Sequence, residues 1–182
     1  MNMFRASYSF SLLLSLIAAM GIAACTDTEI TTTPVEVDGI NNTVMVTGDM
    51  LIGGQPTREA LMKLADEGYT TVITARGDGE ISWDEKAFVD SLGMRYVSIP
   101  MPGPDYAITD QHIEEFDEVI RTSDGPILFH CGSGNRAAGL WGVWLAEKKG
   151  LSPAAALELA EKAGMTRVRP VAERRLGIET EL

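Results

Sequence analysis

Pro126-Ile127-Leu128-Phe129-His130-Cys131-Gly132-Ser133-Gly134-Asn135-Arg136 joins a short apolar run to a glycine-bearing bend and then to a helix. Ile127, Leu128 and Phe129, bounded by Pro126, read as a strand buried on both faces. From Arg136 to Lys149 the chain is rich in helix formers and stops at Gly150. Cys131 therefore falls where a buried strand gives way to a helix N-terminus. Glycines there let backbone N–H groups converge without Cβ obstruction, and the helix dipole adds positive potential. Arg136 supplies a two-pronged donor at the end of the bend. The same surroundings favour thiolate over thiol. The bend thus reads as an anion cradle that also activates a nucleophile.

Outward from this run, strands and helices alternate. Thr43–Thr47, Met50–Ile52, Thr70–Ala75, Arg95–Ile99 and Pro126–His130 carry strand patterns. Thr57 is expected to cap a helix reaching Glu67, and Ser82-Trp83-Asp84-Glu85 to act as a capping box for one ending at Leu92. Thr109 or Asp110 caps a helix carrying Ile113, Phe116, Val119 and Ile120. Ser152-Pro153 starts another that Gly164 stops, and a short last helix is expected near Val171–Leu176. The alternation predicts an α/β fold in three layers, a mostly parallel sheet flanked by helices.

The 182 residues suit one domain, and 45% hydrophobic residues suffice for an ordinary core. A net charge of −11 argues against nucleic acid as a partner. Residues 1–24 read as a signal peptide, with Arg5 before the apolar stretch Phe10 to Ile22. The following Ala23-Ala24-Cys25 resembles a bacterial lipoprotein box, which implies cleavage before Cys25 and acylation of its thiol. Residues 25–42 are then a lipid-anchored polar tether, 43–176 the folded domain and 177–182 a C-terminal tail. The expected location is the periplasmic face of the envelope, with Thr26 favouring the outer membrane. Cys131 is left without a disulfide partner, and a lone exported thiol is easiest to explain if it does chemistry. Two histidines and one free cysteine make no metal cluster, and no cofactor is expected.

The His130-Cys131-loop-Arg136 run resembles the signature of cysteine-dependent phosphatases. Together with Gly54-Gln55-Pro56-Thr57 and the stretch Thr71 to Glu80, it resembles the beta-lactamase-hydrolase-like phosphatase family, over roughly Val44 to Ala163. The resemblance implies a tyrosine/dual-specificity phosphatase-like fold and a phosphocysteine intermediate, formed on an anionic small molecule or a phosphoprotein. Cys131 would attack, while Arg136 and the amides of Gly132, Ser133, Gly134 and Asn135 hold the oxyanion. Asp105, on the loop after Met101-Pro102-Gly103-Pro104, would donate the proton. Arg76 would support substrate or loop, and His130 would orient the loop.

Two features stand apart from ordinary tyrosine phosphatases. Four residues lie between Cys131 and Arg136, one fewer than usual, a loop length shared with rhodanese-type sulfurtransferases. Ala137 stands where Ser or Thr commonly stabilises the departing thiolate. A sulfurtransferase or persulfide carrier, and a non-catalytic anion-binding envelope module, remain as alternatives.

Overall fold

The computed structural model describes residues 30–47, 49–102 and 105–178. The signal peptide and the acylation site at Cys25 lie outside the described residues. Six strands form one mixed sheet: β1 (Thr32–Pro34), β2 (Val44–Val46), β3 (Met50–Gly53), β4 (Thr71–Thr74), β5 (Arg95–Ser98) and β6 (Ile127–His130). Their spatial order is β1-β2-β3-β6-β4-β5. The pairs β3–β6, β6–β4 and β4–β5 run parallel, and β1–β2 and β2–β3 antiparallel. The helices are α1 (Arg58–Asp66), α2 (Glu85–Ser91), α3 (Asp110–Thr122), α4 (Asn135–Lys149), α5 (Pro153–Lys162) and α6 (Arg169–Arg175).

Period-two alternation divides the core in two. Met50, Ile52, Ile73, Ile127 and Phe129 face α3 to α6, whereas Leu51, Val72 and Leu128 face α1 and α2. Continuing the odd series of β6 puts Cys131 on the larger core's side. Phe116 of α3 lies against Phe129, ring centroids 4.9 Å apart, and edge-on to Trp144 of α4 at 5.6 Å. Trp141 is fully buried, and Trp144 Nε1 donates to Asp117 Oδ1 at 3.0 Å. Both tryptophans therefore serve packing.

The caps follow local chemistry, with one correction. Thr57, Thr109 and Ser152 each accept an N–H of their helix's first turn. At α2 the cap is Asp84, two residues later than the Ser82 box; Glu85 turns inward instead and is buried. A second correction concerns the tether. Residues 32–34 form an edge strand, and Ile40 and Thr43 are buried, so the fold begins inside the segment 25–42. A third concerns the tail, because Ile178 packs on the larger core and its N–H reaches the Glu173 carbonyl at 3.0 Å.

This topology selects the site. The helix after β3 covers one face and the helix after the neighbouring β6 covers the other, which leaves a crevice at the strands' carboxyl ends. Cys131 stands there, level with Gly54 and Ala75, the residues that follow β3 and β4.

Candidate active site

Residues 131–134 bend between β6 and α4, and Gly134 enters the helix at φ 86°, a left-handed value suited to glycine. No side chain caps α4, so its first N–H groups keep their donor capacity at the bend. Two loop carbonyls are tied to other parts of the chain. Gly132 O accepts from Gln55 N at 3.4 Å, and Ser133 O accepts from Asn42 Nδ2 at 3.2 Å. Because C=O and the next N–H point oppositely across a planar trans peptide, the N–H of Ser133 is turned away from the Gln55 anchor. Gly54 makes room for this arrangement: a Cβ there would meet Asn41 O at 3.1 Å and Gly132 O at 3.2 Å.

Cys131 is 1% exposed, on the loop floor and in contact with the core, but Gly132 beside it is exposed. The pKa of Arg136 is raised, first by its hydrogen bonds with Glu80. Its Nη1 donates to Ala75 O at 3.1 Å, Met101 O at 3.2 Å and Glu80 Oε1 at 2.8 Å, and its Nη2 to Glu80 Oε2 at 2.5 Å. A guanidinium has five N–H donors. Glu80 and the two carbonyls take the Nη1 end, leaving the edge of Nε–H and one Nη2–H without a hydrogen-bond partner among the described residues. That edge matches two oxygens of a tetrahedral anion.

The loop carrying Asp105 is tied to the same guanidinium at both ends. Met101 O accepts from it, and the Tyr106 ring stands 5.0 Å from Arg136 Cζ. Tyr106 holds φ 43°, a left-handed strain of about 1–3 kcal/mol for a non-glycine residue. Asp105 is exposed and makes no hydrogen bond or ion pair among the described residues.

Arg76 lies behind Glu80. Its Nη1 donates to Gln55 Oε1 at 2.6 Å, its Nη2 to the Glu80 carbonyl, and its Nε stands 3.7 Å from Glu80 Oε2. Arg76, expected to support substrate or loop, makes its contacts to the loop at Glu80 and to Gln55. The side chain of Asn135, whose backbone amide is the expected anion donor, is engaged elsewhere. Its Oδ1 accepts from Thr166 N at 2.7 Å, Thr166 Oγ1 at 3.1 Å and Val168 N at 3.3 Å. His130 is fully buried, its Nε2 3.3 Å from Glu85 Oε2. His112 joins the α3 cap, its Nδ1 accepting from Thr109 N at 3.3 Å. Glu80, Glu85, Gln55, Tyr106 and Asn42 are the site-building residues that sequence reasoning missed. Gln55 and Glu80 stood in the quoted runs, but nothing in them revealed their partners. No cluster of metal-ligating residues occurs among the described residues.

The Arg136 hydrogen bonds, aided by Gly77 N–H and Arg76, pull Glu80 from 4.5 to about 2. A carboxylate whose pKa is lower folded than unfolded stabilises above the unfolded value and loses that effect as pH falls through the folded one. Glu80→Gln is therefore expected to lower Tm by a constant amount above about pH 5, a gap that closes between about pH 4.5 and 2. Parallel melting curves in buffers spanning that range check it; a gap unchanged at pH 2.5 would exclude the ion pair as its source.

A partly parallel three-layer sheet with a Cys-loop-Arg bend at its topological switch point defines a tyrosine phosphatase-like domain. The chain belongs to the family described as beta-lactamase hydrolase-like protein, phosphatase-like domain, whose family model matches residues 42–148. The beta-lactamase hydrolase-like protein of Agrobacterium fabrum is 33% identical over 103 residues, which are 54% of this chain and 23% of that protein. Its counterpart in Xylella fastidiosa is 33% identical over 99 residues, 52% of this chain and 22% of that protein. The matched part of the chain thus spans under a quarter of these relatives. Among solved structures, P. aeruginosa TpbA superposes with a TM-score of 0.62 at 19% identity, covering 82% of this chain and 90% of that one, a likeness of fold.

Proposed function

We propose that the chain hydrolyses a phosphate monoester through a phosphocysteine on Cys131. The observation that supports this most is the edge of Arg136 that Glu80 leaves free, five residues after Cys131 at the end of the same bend. In this reaction Sγ attacks phosphorus, the bond to the ester oxygen breaks, and Asp105 gives that oxygen a proton. The Arg136 edge and the loop N–H groups stabilise the equatorial oxygens as charge spreads onto them. Water then cleaves the P–S bond, returning the thiolate and releasing inorganic phosphate. A structure of P. aeruginosa TpbA contains phosphotyrosine and one of PTPMT1 contains PI(5)P, each of which carries a phosphate monoester group. We extend that substrate class, though neither compound itself, to this chain.

Ala137, fully buried, offers no hydroxyl to the departing thiolate, so the intermediate should accumulate. Acid quenching during turnover of an aryl phosphate, followed by peptide mass spectrometry, is expected to find the phosphoryl group on the Cys131 peptide. Phosphate release with no such adduct would overturn the mechanism. Thiocyanate formed from thiosulfate and cyanide, dependent on Cys131 and without phosphate release, would replace it with sulfur transfer. Membrane attachment through acylated Cys25 on the periplasmic face completes the proposal and is separable from it. Cys25→Ala should leave the membrane fraction, and its continued sedimentation there would remove the anchor alone.

A further inference from the structure

Glu85 is a carboxylate that the reaction above does not use, and it is 2% exposed. A buried carboxylate is costly unless donors surround it. Here they come from three separate strands and loops. Gln55 Nε2 donates to Oε1 at 2.5 Å, Tyr96 O–H donates to Oε2 at 3.4 Å, and His130 Nε2 lies 3.3 Å from the same Oε2. Burial first, and then the charge of Glu85, push the Tyr96 pKa up, so its phenol keeps the donated proton. His130 is fully enclosed, and neither ring nitrogen has an aligned hydrogen-bond partner among the described residues. Glu85 Oε2 is the carboxylate oxygen at ion-pair distance from Nε2, short of hydrogen-bond alignment.

Two of these donors belong to residues that flank the nucleophile loop. His130 directly precedes Cys131. Gln55 holds the Gly132 carbonyl with its backbone N–H, and its side-chain Oε1 accepts from Arg76, which in turn supports Glu80. We infer that Glu85 is a positioning residue for Cys131: it fixes the Nε2–H form and ring plane of His130 while anchoring Gln55 on the other side of the loop. The inference rests on Cys131 being the nucleophile, but its central claim concerns His130 and is read without turnover.

The donor count explains why a carboxylate is needed. Two hydrogen-bond donors, Gln55 Nε2 and Tyr96 O–H, and the nearby His130 Nε2 converge on two oxygens, each with spare lone pairs. An amide offers one oxygen and brings an NH₂ of its own, so Glu85→Gln leaves at least one donor facing another donor.

The test is ¹⁵N NMR of the imidazoles in the full chain at neutral pH. The chain has two histidines, so His112→Gln assigns the His130 signals by elimination. Wild type is expected to show a proton on Nε2 of His130, and Glu85→Gln to shift the ring toward the Nδ1–H tautomer. The same variant should alkylate Cys131 with iodoacetamide about threefold to tenfold more slowly, and lose about tenfold in kcat on an aryl phosphate with KM little changed, a loss of oriented chemistry rather than of binding. Normal tautomer and alkylation rate in Glu85→Gln, with only a lower Tm, would reduce Glu85 to a structural acid and overturn the inference. If that variant does not fold, wild type decides: a proton on Nδ1 alone overturns it. A tautomer shift and slowed alkylation in a protein that never releases phosphate would uphold the role of Glu85 and reject the phosphatase reading instead.

Discussion

Cys131→Ser is expected to lower phosphate release from an aryl phosphate by at least about 10⁴-fold, because a serine hydroxyl is a weak nucleophile until a base takes its proton. A thiol is intrinsically the better nucleophile, and a serine would need a base within reach of its proton. His130 is fully buried with Nε2 3.3 Å from Glu85 Oε2, and Glu80 is committed to Arg136. The variant should still fold. Sulfur-to-oxygen exchange changes the volume little, and burying the hydroxyl costs about 1–3 kcal/mol at a position that is 1% exposed. A Tm lowered by a few degrees, retained affinity for inorganic phosphate and lost turnover are therefore expected together. Turnover within tenfold of wild type would mean that sulfur is not the attacking atom.

The parts of this site that were legible in the sequence are local ones. Ile127 to Arg136 carries strand, bend, nucleophile and guanidinium within one continuous stretch, and each link depends on neighbours in the chain. The central strands were readable for the same reason, since β3, β4 and β6 are apolar on both faces and declare their burial. Strand β1 was not, because Thr32-Thr33-Pro34 is an exposed edge whose polar residues look like a tether. The acidic residues were least legible. Glu80 pairs with a residue 56 positions away, and Glu85 with one 30 positions back and others on β5 and β6. A glutamate beside a helix start is read as a cap or a solvated charge unless its tertiary partners are known. The Ser82 box misplaced the start of α2 because it assigned Glu85 to its own helix end.

Arg136→Lys separates charge from shape, and shape should win. Lysine keeps the positive charge near Cys131, so a site that needed only attraction would lose little. The structure asks more of this residue. Glu80 binds two nitrogens at once, Ala75 O and Met101 O share Nη1, and the remaining edge is what a substrate would meet. An ammonium has three donors on a single atom. Glu80 and either carbonyl would occupy most of them, leaving no paired edge for two equatorial oxygens. Removing one preorganised donor from a developing oxyanion costs about 10²–10³ in kcat. Arg136→Lys is accordingly expected to lose about 10²–10³ in kcat/KM, more of it in kcat than in KM, because the oxygens draw closest to the guanidinium in the transition state. Met101 O also loses its partner, so the loop bearing Asp105 should loosen, which accelerated proteolysis there would report. Steady-state kinetics of purified Arg136→Lys against wild type measures the first effect. A loss smaller than about fivefold would show that charge alone suffices and that the forked contact between Arg136 and Glu80 serves folding rather than chemistry.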